Sequence, residues 1–255
     1  MNPVNLSRML AVILFVTSFV SGCAAETTNP VEVYDQGDQV HHLVYVHNKQ
    51  GERVLLRELV SDTDTITVLY LFGGGAMGVK NKTAGLWCTD SFEDSHILRT
   101  LYAKYKDKGV NFVAVAFPAV FHTQYMGYPQ SVFLEEADNS DAFSNAVDAF
   151  VDSTYAAHEF GIIPIEPYYD LRFRLLSDRS DAYNQLELTP WDGAFRKTDE
   201  SQTYGVPSFW ILDSRGKILT KPFRGNIYHG LPETYSIAYT LQDVDEKMAS
   251  LLSSM

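Results

Sequence analysis

At 255 residues, with 45% hydrophobic and 13% aromatic side chains, the chain can fill the core of one large domain, which excludes a disordered chain. Its 20 Lys and Arg against 32 Asp and Glu give a formal net charge of −12, which excludes nucleic acid as a partner class and disfavours direct attraction to anionic headgroups. There are two cysteines, Cys23 and Cys88.

The amino end sets the expected compartment. Arg8 is the one charged residue before an apolar run, Met9–Val20, which is too short to span a bilayer and fits the h-region of a secretory signal. The run leads into Val20-Ser21-Gly22-Cys23, which resembles the bacterial lipobox, with Cys23 as the lipidated residue. The other reading is an ordinary signal peptide cut near Ala24 or Ala25. The lipobox reading implies a signal peptide over 1–22 and a protein of the bacterial cell envelope, held by lipid at the membrane and facing the periplasm or exterior. Removing Arg8 with that segment takes the formal charge from −12 to −13. Cys88 is then the only free thiol, so the mature chain has no intramolecular disulfide.

Residues 23–39, small and polar with Glu26, Glu32, Asp35 and Asp38, read as a flexible tether ahead of a domain over 40–255. Val40–Val46 and Arg53–Val60 flank Asn48-Lys49-Gln50-Gly51 as a hairpin. Ile66–Phe72 is a continuous β-branched and aromatic run, the pattern of a strand buried on both faces, ended by Gly73-Gly74-Gly75. A polar loop, Val79–Gly85, precedes Leu86-Trp87-Cys88. From Thr89 the apolar period becomes helical through Phe92, Leu98, Leu101 and Tyr105, with lysines in the last turn and Gly109 as the stop. Val110–Phe117 is a second buried strand, so strand, cysteine loop, helix and strand make a βαβ unit.

Residues 119–140 show no clean period, and Asp141–Phe160 has a helical stripe through Phe143, Val147, Phe150, Val151 and Tyr155. Tyr168–Leu176 reads as a short strand and turn, and Asp178–Thr203 as polar and turn-rich. Val206-Pro207 then enters Ser208–Asp213, whose Ser214-Arg215-Gly216 turn leads to Lys217–Thr220. Thr234–Leu252 reads as the closing helix, with Ile237, Leu241, Val244, Met248 and Leu251 at helical spacing.

Trp87-Cys88-Thr89-Asp90-Ser91 at a helix start, the phrase Ala103–Ala116, and Gly205-Val206-Pro207-Ser208-Phe209-Trp210-Ile211-Leu212-Asp213 before a final helix resemble the thioredoxin-like superfamily. The likeness is to its extracytoplasmic thiol–disulfide reductases and redoxins, over Val40–Val60, Ile66–Phe117 and Tyr204–Leu252. It implies an α/β thioredoxin-like fold with an amino-terminal β-hairpin and a long insertion, 119–203, between the second core strand and the proline hairpin. It further implies that Cys88 is the nucleophile and that Pro207 is a cis-proline facing it; at X–Pro bonds cis costs only about 0.5–1 kcal/mol. Trp87, Thr89 and Val206 would line the substrate groove. Besides that insertion, the chain departs from the pattern in a much longer loop between Ile66–Phe72 and Cys88, in Ser91 standing where the second motif cysteine would be, and in Gly85 and Asn81 at the positions that peroxiredoxins fill with Thr/Ser and Pro.

The chemistry rests on the thiolate. A helix start aims free N–H groups at Cys88, and Ser91 is placed to hydrogen-bond it, while Asp90, Glu93 and Asp94 oppose its ionisation. Lys80 and Lys82 in the preceding loop would offset them. With one cysteine, a disulfide protein or small-molecule disulfide would form a mixed disulfide, or peroxide a sulfenic acid, and an external reducing thiol would resolve it. No cofactor is called for and no metal motif is present. The alternatives are an inert buried cysteine in a non-catalytic binding protein of the same fold, and a copper-handling protein using Cys88, Met77 and a distant histidine.

Overall fold

The computed structural model describes residues 34–42, 44–60, 66–75, 86–117, 140–170, 206–226 and 237–255. The chain divides into Met1–Pro30 and Val31–Met255, and every described residue belongs to the second unit. Cys23, the signal segment, Met77, Lys80, Lys82 and the stretches 119–139 and 178–203 lie outside the described residues.

The elements, in order, are β1 (Tyr45–His47), β2 (Arg53–Leu55), α1 (Leu56–Leu59), β3 (Ile66–Gly73), α2 (Thr89–Tyr105), β4 (Val110–Phe117), α3 (Ser140–Glu159), β5 (Pro167–Tyr169), β6 (Ser208–Asp213), β7 (Phe223–Asn226), β8 (Ile237–Tyr239) and α4 (Leu241–Ser254). The strands pair in one mixed sheet of order β2-β1-β5-β4-β3-β6-β7-β8. β3 runs parallel to β4 and antiparallel to β6. All eight β3 residues are buried, as an unbroken apolar run requires of a central strand.

Alternation along the strands divides the core. Val68, Tyr70 and Phe72 of β3 and Phe112, Ala114 and Ala116 of β4 pack with Leu98 and Leu101 of α2, Phe150 of α3 and Met248 of α4. Leu69, Leu71, Val113 and Val115 pack with Tyr34, Val44, Val46, Leu56 and Trp210. The βαβ unit followed by the β6–β7 pair and a terminal helix makes this a thioredoxin-like α/β fold.

Four expectations change. The segment read as a tether is packed from Tyr34 onward: Tyr34 is buried and accepts from the His41 amide (2.9 Å), and the Gly37 amide donates to the Ile218 carbonyl (2.8 Å). The region 119–203 is no appendage where it is described. β5 pairs with β4, and Val147, Phe150 and Tyr155 of α3 are core residues. The partner strand after the β6 turn is Phe223–Asn226, with Ile218 making only a bridge to Leu212. The closing helix begins at Leu241, because Thr240 caps it reciprocally with Asp243, while Ile237–Tyr239 pairs with β7 as a strand. Ile237 matched the helical spacing by coincidence of period.

Tyr34→Ala is expected to lower unfolding stability by about 3 kcal/mol, as for other large-to-small core changes, measured by urea denaturation; a flexible tether at this position would give no change.

Candidate functional site

Register brings the two sequence-distant motifs together. Because β6 is antiparallel to β3 with Leu71 opposite Ser208, the residues just before β6 lie level with the carboxyl end of β3. That end is where α2 begins, and carboxyl ends of strands in open α/β sheets are where ligands bind. Cys88 is the N-cap of α2 in extended conformation. Its thiol lies 3.8 Å from the Val206 carbonyl, across 118 residues of sequence, and donates to it. The next peptide, Val206–Pro207, is cis. Val206 also packs against Trp87 and Cys88.

Three glycines make room for this. A Cβ on Gly73 would collide with Cys88 Cβ and come within 2.8 Å of the Trp87 ring; one on Gly74 would meet Ala116, Phe150 and Thr154. The chain returns to the strand end by a bridge between Gly75 and Leu86 and by the Trp87 amide donating to the Gly74 carbonyl (2.8 Å). The Gly75 amide donates to Thr154 Oγ1 (2.7 Å), so α3 braces the same corner. Trp87 is 6% exposed and its indole N–H donates to the Phe117 carbonyl (2.6 Å). Its place is therefore the wall beneath the cysteine rather than an open groove. Thr89 and Val206 are partly exposed, and Pro207 is buried.

Ser91 is fully buried and bonds the sulfur through its backbone. Its amide donates to Cys88 Sγ (3.4 Å), as the first turn of a helix donates to its cap. Its hydroxyl accepts from the Gly73 amide (2.9 Å). Around this lies a layer the sequence reading missed. The Tyr70 hydroxyl donates to the Ser91 carbonyl (3.2 Å), and the Tyr239 hydroxyl to the buried Asp94 carboxylate (2.6 Å). The triple glycine was the legible signal for the close approach; nothing in a strand pattern distinguishes these two phenols from phenylalanines.

Burial pushes the Cys88 thiol up from its ordinary value and the Asp90 charge pushes the same way, while the Ser91 hydroxyl and amide and the Asp90 amide pull it back. Desolvation wins. At 6% exposure the sulfur is a neutral thiol at rest, donating to Val206 and accepting from Ser91. The sequence left the ionisation of Cys88 open between the helix start and its acidic neighbours; burial is the effect that decides it, and the group the sulfur meets is the Val206 carbonyl. Among the described residues no three His, Cys, Asp or Glu side chains cluster as a metal site, and no helix is long and apolar enough to cross a membrane.

No protein-family model matches the chain, and no curated protein matches it. Similar solved structures include an uncharacterised conserved protein from Geobacillus kaustophilus (19% identity, 87% of this chain and 84% of that one, TM-score 0.45). They also include the peroxidoxin BcpB from Mycobacterium tuberculosis (11%, 87% and 97%, 0.44) and a thioredoxin-family thiol:disulfide interchange protein from Chlorobium tepidum TLS (9%, 87% and 99%, 0.43). With TM-scores below 0.5 these likenesses decide nothing about chemistry; the fold is read from the strand order and register above.

Two outcomes follow. Gly73→Ala should expel Trp87 and Cys88 from their seat, seen as a red-shifted, quenchable tryptophan emission and lost stability; an unchanged spectrum would contradict the close approach. The folded-state pKa values of Cys88, Tyr70 and Tyr239 are all raised, chiefly by burial. Their contribution to stability is complete below the unfolded-state values and is lost as pH rises above them. Melting temperature should therefore fall from about pH 8.5, the ordinary cysteine range, and more steeply above about pH 10, the tyrosine range. Cys88→Ser should remove the first part of that fall.

Proposed function

We propose that the chain is a thiol oxidoreductase of the cell envelope, anchored by lipid on Cys23, in which Cys88 alone exchanges with a disulfide and an external thiol completes the cycle. The observation that carries this is the meeting at one sulfur of a helix N-cap and the carbonyl that precedes Pro207. That arrangement offers an incoming chain the backbone of 206–207 on one side and the Ser91 amide as a hydrogen-bond donor to the sulfur on the other.

The steps balance without a second cysteine. The Cys88 thiol loses its proton to solvent, its sulfur attacks one sulfur of the substrate disulfide, and the substrate's other sulfur leaves as a thiolate. An external thiolate then attacks the mixed disulfide, forming a new disulfide with the substrate sulfur and releasing the Cys88 thiolate. Because desolvation keeps the resting thiol protonated, the first step is slow compared with that of an activated cysteine. Peroxide is a less suitable oxidant, since Gly85 and Asn81 stand where the peroxidase motif has its hydroxyl and proline.

A second reading, a non-catalytic binding protein of the same fold, is favoured by the 6% exposure of Cys88. Incubation of the native, full-length protein with oxidised glutathione separates the two. The exchange reading expects one glutathione adduct by intact mass, removed by reduced thiol and absent in Cys88→Ser. An adduct that forms only after denaturation would establish the binding reading instead. For the anchor, Cys23→Ser is expected to move the protein from the membrane to the soluble fraction of expressing bacteria; unchanged membrane association would refute lipidation at that residue.

A further inference from the structure

We infer that Tyr70 is a positioning residue for Cys88: its phenol ties the first turn of α2 to β3 and thereby sets Ser91 against the sulfur. Ser91 is held from β3 at two points three residues apart, by the Tyr70 hydroxyl at its carbonyl (3.2 Å) and by the Gly73 amide at its Oγ (2.9 Å). Two anchors on one strand fix both the height and the rotation of that turn. With them fixed, the Ser91 amide reaches Sγ at 3.4 Å.

Tyr70 is itself enclosed. Its ring is completely buried, stacked on Phe72 at 5.6 Å between centroids and tilted against Phe209 at 4.6 Å. Phe209 in turn meets Tyr239 edge-on at 5.5 Å, and the Tyr239 hydroxyl bonds Asp94. Two phenols from β3 and β8 therefore hold positions 91 and 94 of α2. Burial would favour phenylalanine at position 70 unless the hydroxyl were used, because a buried hydroxyl costs free energy without a partner. The charged and titratable groups facing the thiol are Asp90 from its own helix and Tyr70 from β3, with Asp94 and Tyr239 behind Tyr70. Burial holds the Tyr70 phenol well above its usual range, so it remains a donor over the working pH.

This inference rests on Cys88 being the functional thiol, but its test does not require turnover. The full-length wild type, Y70F, S91A and the Y70F/S91A double variant are titrated by iodoacetamide alkylation of Cys88 against pH. Thiolate ultraviolet absorbance, referenced to each protein's Cys88→Ser counterpart, serves as a second measurement that needs no reagent access. S91A should move the profile up by about one pH unit, a tenfold slower reaction near neutrality. Y70F should slow it by about threefold while circular dichroism stays that of the wild type, and its effect should be at least as large in the S91A background, because the carbonyl that Tyr70 holds and the amide that reaches the sulfur are backbone groups that S91A leaves in place. A Y70F profile that overlays the wild type, or a Y70F shift that disappears in the S91A background, would overturn the inference. Failure of the exchange reading looks different: no glutathione adduct forms, yet the Y70F shift in thiolate absorbance persists.

Discussion

The close approach of the Gly73–Gly75 strand end to Trp87 and Cys88 is the constraint on which the rest depends. A side chain at Gly73 would occupy the space of the cysteine itself. Only with that space open can the chain bridge back at Leu86, pass Trp87 under the strand, and start α2 at a residue whose sulfur faces the residue before Pro207. Sheet register does the remainder: antiparallel pairing of β3 with β6 brings residue 206 to the same end of the sheet.

Two opposing electrostatic effects meet at the sulfur. The helix start and Ser91 favour a thiolate, whereas the wall formed by Trp87 and Val206 removes solvent and the Asp90 charge disfavours it. Desolvation is the larger effect, and the Val206 carbonyl, an acceptor, suits a thiol better than an anion. A protonated resting cysteine with donors already in place is a site whose reactivity depends on water or substrate reaching it. That distinguishes it from cysteines in exposed, cationic surroundings, whose thiolate is present before any substrate arrives.

Much of this was legible from residues alone. The change from an unbroken β-branched run to a helical period at Thr89 located β3, α2 and β4, and Cys88 fell at the cap because the period starts after it. What escaped has physical reasons. Tyr34 sits in a polar stretch whose composition reads as linker, and only its fit into the pocket beside Trp210 and Leu56 shows otherwise. Tyr168–Leu176 reads as a short strand and turn, but the strand, Pro167–Tyr169, has three residues, too few for a period to show that it pairs with β4. Ile237 lies on the line of Leu241, Val244 and Met248, and the spacing outweighed the Thr240–Asp243 cap that ends the strand before the helix. The phenols of Tyr70 and Tyr239 act by single hydroxyl groups at distances no pattern encodes.

The most direct test of the central claim is the S–H stretching band of Cys88 in the vibrational spectrum, assigned by its loss in Cys88→Ser. A band is expected at neutral pH, moved to lower frequency by donation to the Val206 carbonyl. Its absence at neutral pH, or its appearance at the position of an unbonded thiol, would contradict a buried, protonated sulfur seated between the helix and the proline strand.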